Sequence, residues 1–593
     1  LLALALIVTV LNYFAFTPLT IIFQKYVLPW MEKTYKLFIN FALKKYNPIA
    51  FFLGTLLLMV FSIMLLGVKK PQVLFFPNTD PQYVNVFVEM PLGTDIEVTD
   101  KMVKTVEKKI DKAIIPYKDI VESVLVQIGE HTGDPQGPQE PGSSPNKARI
   151  TVAFVADDLR GNLSSGDAMK DIQKSLRDVV GANIIVDKNR NGPPVGKPIN
   201  IEIKGDDIDK LIETSYDVIK YINAHNIPGI EELKADIKLG KPEILVNIDR
   251  GAARRYGLST YSISDAIRTS VYGKEASKFK QGEDEYPIMI RLDDKYRYNL
   301  NSLLNQKITF RNPNTGRIVQ VPVSAVSSIK YASTFSSVKR KNLDRVITVY
   351  SNVLEGYNAN EIVNQIKTLM ASYKMPQGYD YAFTGEQKEQ AENTAFLMNA
   401  FMVALFMIFL IIVAQFNSIL SPFIIMFSVL FSTIGVFLGI VVNNDDIVIV
   451  MTGIGIISLA GVVVNNAIVL IDYTNLTIGR KRKELGLPNN KLPLNLVKEG
   501  IVEAGITRLR PVLLTAFTTV LGMMPLAYGF NFNFFTLITD LDPQVYSGGD
   551  SVQFWGPLAW TVIYGLMFAT FLTLIIVPVM YWLAYRTKML FIK

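Results

Sequence analysis

AFFLGTLLLMVFSIMLLGV, residues Ala50–Val68, and AFLMNAFMVALFMIFLIIVAQ, residues Ala395–Gln415, are separated by about 320 mostly polar residues. Each run is long enough, as a helix, to cross roughly 30 Å of hydrocarbon. Working outward, Ile419–Val442, Ile447–Ile471, Pro511–Phe530 and Leu558–Leu583 follow the second run. Leu1–Phe23, broken by Asn12 and Pro18, precedes the first and is a seventh candidate. A helix at the edge of a soluble core carries a polar face over such a length, and these runs do not. The layout describes a membrane bundle that sends one large folded domain out between two of its spans. An apolar fraction of 49% is the average of those two populations.

Lysine and arginine placement gives the orientation. Lys25, Lys33, Lys36, Lys44 and Lys45 lie between the first two spans. Arg480, Lys481, Arg482, Lys483, Lys491, Lys498, Arg508 and Arg510 crowd the loop Thr474–Arg510, and Arg586 and Lys588 the tail. The alternate loops are acidic, through Asp445 and Asp446 and through Asp540, Asp542 and Asp550. The basic loops therefore face the cytoplasm, and Lys69–Glu392 the opposite side.

Other classes fall away on composition. The net charge of +7 follows largely from the positive-inside bias, and no interleaving of basic and aromatic residues points to nucleic acid. No cysteine is present, so neither disulfides nor thiolate metal sites hold the outer domain. There is no G-x-x-x-x-G-K-[ST] phosphate loop. Gly453-x-Gly455 lies inside an apolar run, where small residues serve close helix packing. The opening at Leu1, within an apolar run, reads as a fragment whose N-terminal part is missing.

The outer domain is built of strand–helix–strand repeats. Strand Tyr83–Met90, a helix over Asp95–Asp111 with Val98, Met102, Val106 and Ile110 on one face, and strand Ile120–Ile128 come first. After a Gly/Pro-rich loop, Gly129–Asn146, follow strand Arg149–Ala156, a helix near Asp167–Val180 and strand Asn183–Val186. Together they form a βαββαβ unit, the ferredoxin-like arrangement. A second unit begins with the alternating Ile199, Ile201 and Ile203, helix Asp206–Asn223 and strand Ile230–Ala235. Its other half comes about a hundred residues later, as Arg345–Val353, Ala359–Ser372 and Tyr379–Phe383. Glu243–Tyr331 is an insert with two short helices, strands Glu243–Asp249 and Tyr286–Leu292, and a hairpin turning at Asn312–Gly316.

Several strings, in this order and spacing, resemble the resistance–nodulation–division (RND) permeases, specifically a C-terminal half. Asn247-Ile-Asp-Arg250, Ala253 and Tyr256-Gly-Leu-Ser259 resemble the start of the family's docking subdomain, and Val321-Pro-Val-Ser-Ala-Val326 the strand that ends it. Gly461-Val-Val-Val-Asn-Asn-Ala-Ile-Val-Leu470 resembles the tenth membrane helix. Arg508-Leu-Arg-Pro511 through Thr515, with Leu521-Gly-Met-Met-Pro525, resembles the eleventh. The resemblance implies an α-helical polytopic bundle plus an α+β periplasmic porter with a β-rich docking insert. Its parts are the end of a transmembrane helix (1–24), a cytoplasmic linker (25–47), a transmembrane helix (48–68) and a first porter subdomain (76–197). A second porter subdomain (198–242 and 332–388), a docking subdomain (243–331) and a five-helix membrane block (392–585) complete it. It further implies a multi-pass protein of a Gram-negative inner membrane. Such a protein is a homotrimer working with a periplasmic adaptor and an outer-membrane channel, driven by protons and without a cofactor.

Polar groups inside the lipid core are costly and tend to be functional. Asn465 and Asn466 stand near the middle of the tenth-helix equivalent. Asn465 and Asp472, seven apart, share a helix face, as do Arg508 and Thr515. The five are the expected proton-relay seam; the alternative is that Asn, Thr and Gly simply hold helices together. The best-known drug pumps place a lysine at the position of Asn465, so here Arg508 supplies the positive charge or hydrogen bonds alone tune the relay. By resemblance Phe87, Leu125 and Phe154 line a substrate pocket, with ordinary strand-core packing the alternative for each. The loop carrying Gly129, His131 and Gly133 matches the family's gating loop, without an aromatic of its own. His131 and His225 are isolated and read as surface residues. No methionine pair stands at ligand spacing in the porter, which argues against metal export. The leading expectation is proton antiport of amphiphilic small molecules. An envelope lipid exporter and a membrane-anchored scaffold are the alternatives, and an enzyme is the weakest.

Overall fold

The computed structural model describes residues 9, 12–77, 80–135, 144–161, 163–189, 196–237, 240–311, 316–334, 338–354, 357–486, 492–543 and 545–591. They fall into two compact units. One comprises Leu1–Met90, Asp95–Ala235 and Asp344–Lys593, and the other Pro91–Thr94 with Asp236–Leu343.

Much of the expected span Leu1–Phe23 lies outside the described residues; within it Asn12–Phe16 and Thr17–Ile22 are helical. The stretch 25–47, expected as a linker, instead contains helix α1 (Leu28–Ala42), with Pro29 in its first turn. Tyr35, Ile39 and Ala42 recur at helical spacing and are buried, packing with Val497, Ile501 and Trp582. The Tyr35 hydroxyl donates to the Leu574 carbonyl at 2.9 Å. Helix α2 (Asn47–Lys69) follows and ends on a left-handed Lys70, φ 48°.

The first porter sheet takes its strands β1 (Tyr83–Glu89), β2 (Val121–Gly129), β3 (Ser144–Phe154) and β4 (Asn183–Lys188) in the order β2-β3-β1-β4, all antiparallel. Helices α3 (Ile96–Ala113) and α4 (Ser165–Leu176) pack on one face, capped by the side chains of Asp95 and Ser164. Alternation puts Val84, Val86, Val88, Ile150 and Val152 under Val103, Val106, Ile110, Ile172 and Leu176. Each such burial is worth about 1.5–3 kcal/mol.

The second sheet repeats that order. Strands β5 (Ile199–Gly205) and β6 (Lys234–Ala235) flank helix α5 (Ile208–Ala224). The expected strand Ile230–Ala235 is shorter than its sequence suggests, because the Ser351 hydroxyl accepts the Glu232 N–H where a ladder carbonyl would stand. Within the insert, β7 (Lys241–Ile248), β8 (Lys274–Gln281), β9 (Asp284–Ile290), β10 (Lys307–Arg311), β11 (Ile318–Pro322) and β12 (Ser327–Thr334) form three two-stranded sheets. Ala252, Ala253, Leu258, Ile263, Ile308, Val321, Val323 and Val326 make its core. The expected turn at Asn312–Gly316 lies largely outside the described residues. The chain then returns to the second sheet through β13 (Asp344–Ser351), α6 (Ala359–Ser372) and β14 (Asp380–Phe383), with β5 between β13 and β14.

Helices α7 (Glu386–Phe416), α8 (Leu420–Asn443), α9 (Ile449–Glu484), α10 (Leu494–Tyr528) and α11 (Asp550–Phe591) complete the chain. With α2 they are, among the described residues, the six helices long and apolar enough to cross a membrane. The expected loop Thr474–Arg510 is mostly helix, because α9 and α10 both continue well past their apolar runs. Glycines set the closest crossings. A Cβ on Gly439 would fall 2.2 Å from the Tyr564 ring, one on Gly565 2.1 Å from Leu459, and one on Gly455 2.9 Å from Thr561.

Candidate functional site

The expected site residues fall in two places among the described residues. The first lies between α9 and α10. Asn466 is buried, and its Oδ1 accepts the Thr515 hydroxyl at 3.0 Å, a hydroxyl shared with the Val512 carbonyl at 2.9 Å. Asn465 points about 100° away around the helix. It lies on an exposed face with Gly461, Asp472 and Leu476. The adjoining face of α10, with Leu514, Thr515, Thr518, Leu521 and Gly522, is also exposed. The side chains of Asn465 and Asp472 hydrogen-bond to no other described residue. Arg508 is half-buried, its guanidinium 4.4 Å from the centre of the Tyr473 ring, with a buried Nε that has no partner. Of the five expected relay residues, Asn466 and Thr515 are thus brought into contact, while Asn465 and Asp472 share an uncovered face and Arg508 is engaged by an aromatic ring. Sequence reasoning gave Asn465 and Asn466 equal standing; their burial separates them.

Two further polar pairs in the bundle were missed. Tyr581 donates to Asn475 at 2.6 Å and Tyr564 to Asp445 at 2.8 Å. A tyrosine inside an apolar run is the available signal, since its hydroxyl needs a partner when buried. Asp445 and Tyr564 also line a cavity of about 290 Å³ with Thr452, Trp560 and Thr561. A larger cavity of about 1100 Å³ joins apolar residues of α2, Ile63 and Leu66, to the polar Asn360, Asn364, Gln365 and Thr368 of α6. The Lys70–Glu361 ion pair, 3.2 Å, lies at its edge. His225, exposed as expected, is also on its wall, with Nδ1 2.9 Å from the Tyr221 carbonyl.

The second place is the face of the first porter sheet opposite its helices. Phe87 and Leu125 are on it, half-buried and exposed respectively. Phe154 is not. It is wholly buried in the helix-covered core, so its ring offers no surface to a substrate, and its expected pocket position is corrected here. The register sets Phe87 beside Arg149, and Arg149 beside Gln127. Arg149 donates from Nη1 to the Gly133 carbonyl at 2.7 Å and from Nη2 to Gln127 Oε1. Beside it Asn85 accepts from Thr151 at 2.8 Å and donates to Asn189 at 2.9 Å. Gly129 (φ 81°) and His131 (φ 53°) turn the chain through left-handed backbone so that Gly133 reaches Arg149. Residues 136–143 of the expected gating loop lie outside the described residues. Sequence reasoning missed Arg149; a charged residue amid the alternating apolar positions of β3 was its signal.

A helix bundle with a buried polar pair, joined to two sheets of one topology, can be compared with known proteins. The sequence model of the AcrB/AcrD/AcrF family matches residues 20–585. The chain belongs to that family. These are the RND permeases, and the fold is theirs. A crystal structure of a heavy metal efflux pump superposes with a TM-score of 0.72 at 20% identity, covering 95% of this chain and 53% of that one. The cation efflux system protein CzcA of an Alcaligenes strain is 27% identical over 86% of this RND chain and 45% of its own length. The swarming motility protein SwrC of Bacillus subtilis is 26% identical over 93% and 47%. The multidrug resistance protein MdtC of Erwinia amylovora is 22% identical over 60% and 31%. The chain spans about half the length, or less, of the relatives it matches.

Proposed function

We propose that the chain acts within an RND pump as a proton antiporter exporting amphiphilic small molecules from a bacterial cell envelope. The observation that carries the reading is the Asn466–Thr515 hydrogen bond between two apolar helices, beside an uncovered face bearing Asn465 and Asp472. A carboxylate on such a face is expensive in lipid, so it belongs against a second bundle or a water path, where protonation can be coupled to movement. Arg508 then supplies the positive charge of the relay, where the best-known drug pumps have a lysine at the position of Asn465. In this reading the two sheets are ferredoxin-like porter subdomains and residues 243–331 dock toward an outer-membrane channel. The working unit is a homotrimer with a periplasmic adaptor, in the inner membrane of a Gram-negative cell. The mixed cavity beside α2 and α6 suits amphiphiles leaving a bilayer.

The test is transport by the full-length pump in proteoliposomes under an imposed pH gradient. Substrate movement should collapse with the gradient, and Arg508→Ala and Asp472→Asn should abolish it in folded protein. Movement at the wild-type rate in both variants would remove the relay assignment. A second reading, export of divalent metal ions, is favoured by the names of CzcA and of the heavy metal efflux pump. Zinc, cobalt and cadmium susceptibility of cells with and without the pump decides between the two.

A further inference from the structure

On the open sheet face, the hydrogen bonding of Arg149 does not match its charge. Its two terminal nitrogens donate to neutral oxygens, of Gly133 and Gln127, and its Nε is buried with no partner. A guanidinium carries five N–H groups and stays charged in proteins, so this one is under-satisfied. Burial lowers its affinity for the proton, and the Asp134 carboxylate acts in the opposite direction. Two couples of opposite charge stand nearby. Glu89 stands across from Lys147 in the register, and Asp187 is ion-paired with Lys197. Arg149 is therefore balanced through Asp134, an exposed residue next to the glycine whose carbonyl it holds.

The edge formed by Nε and Nη2 is geometrically suited to a carboxylate, which would take two parallel hydrogen bonds where Gln127 now supplies one. Phe87, directly across from Arg149, and Leu125 on the adjoining strand offer apolar surface to a molecule held by that edge. Ile185, paired with Phe87, extends the same surface. A divalent cation approaching the face would meet a fixed positive charge instead.

We propose that Arg149 recognises a carboxylate on the exported amphiphile, and that Asp134 occupies its field until the substrate arrives. The proposal rests on the proposed export of amphiphiles and on the expectation that Phe87 and Leu125 line the substrate pocket. Binding of the anion displaces Gln127 from Nη2 and replaces the Asp134 charge, so affinity is set by competition within the protein.

The experiment measures equilibrium binding to the purified full-length pump in nanodiscs, with deoxycholate and its neutral methyl ester as probes. Arg149→Gln should weaken deoxycholate binding about 10–100-fold, the scale of a lost charge-assisted pair, and leave the ester unchanged. Arg149→Lys should fall between, keeping charge without the fork. Asp134→Asn should tighten deoxycholate severalfold. Equal losses for both probes would make Arg149 a residue that merely holds the sheet face. No loss in Arg149→Gln, or no gain in Asp134→Asn, would also overturn the proposal. Because binding is read without a gradient, a pump that binds as expected yet fails to transport would refute proton-driven export and leave this inference standing.

Discussion

Phe154 and Phe87 belong to one sheet and meet different surroundings, which sets what each can be used for. Phe154 is sealed among Val84, Ile110 and Ile172, so Phe154→Ala should cost about 3–5 kcal/mol through lost burial and a cavity. Phe87→Ala should cost far less. Thermal unfolding of the two variants at matched expression reads the difference, and equal stability would place Phe154 outside the core. Nearby, Tyr117 donates to Asp171 at 2.8 Å. That bond holds the Asp171 carboxyl below the usual carboxylate range, with Lys174 adding to the effect, and pushes the Tyr117 hydroxyl up to about 12. The Asp171 pKa is depressed in the folded state. Its contribution is therefore present above the unfolded value, near 3.9, and is lost as pH falls through the lower folded value. Tyr117→Phe should return Asp171 toward its ordinary pKa and diminish that pH-dependent gain. Acid unfolding followed by circular dichroism should begin at higher pH in the variant, and coincident profiles would count against the bond.

Helix pairs are governed by what is absent at their crossings. Gly439 lies where a methyl group would sit 2.2 Å from the Tyr564 ring, and that ring stacks on Trp560 at 5.2 Å while its hydroxyl reaches Asp445. Gly439→Ala should displace the ring, break the Asp445 bond and cost about 1–3 kcal/mol by overpacking. With Trp30, Trp555 and Trp582 replaced by Phe, the emission of Trp560 should shift; an unchanged spectrum would mean that α8 simply moves aside. The apolar runs behind these helices were plain in the sequence, because lipid demands them. Their lengths were not: α9 and α10 continue into basic, polar sequence, where intrahelical hydrogen bonds and not hydropathy sustain them. Helix α1 was hidden for the same reason, its buried Tyr35, Ile39 and Ala42 being diluted by lysines. Strand β8, KEASKFKQ, has little alternation to detect, and its register comes from β9 across a tight turn at Gly282. At the candidate site, spacing puts Asn465 and Asp472 on one helix face, and both are exposed there. Which of two adjacent asparagines is buried depends on the angle at which α10 crosses α9, and no local pattern encodes that. Phe154 fits the alternation of a core strand as well as that of a pocket wall, and only the positions of α3 and α4 decide.

At the scale of the molecule, the insert separates its own stability from its outward chemistry. Phe279, Tyr286, Ile288 and Ile290 of the β8–β9 hairpin are all exposed, and none belongs to the insert's core. Replacing Phe279, Tyr286 and Ile288 by Ser should leave unfolding of the insert within about 0.5 kcal/mol of the parent. Hydrogen exchange at Ile263 and Val321 measures it, and lost protection there would mean that the hairpin braces the core. The insert also interrupts the second porter sheet, whose β5 pairs Ile199 with Ser351. That arrangement has a consequence in time. A ribosome delivers β5 and α5 long before β13, so the apolar face of the half-sheet stands open while the insert is being made. The insert has a core of its own and can fold during that interval. By doing so it draws its two ends together and shortens the effective loop that β5 and β13 must close. The order of synthesis thus makes the insert the assembly jig for the sheet that contains it. Slowing its folding should expose Ile201 and Ile203 to chaperones and proteases, even though neither residue belongs to it.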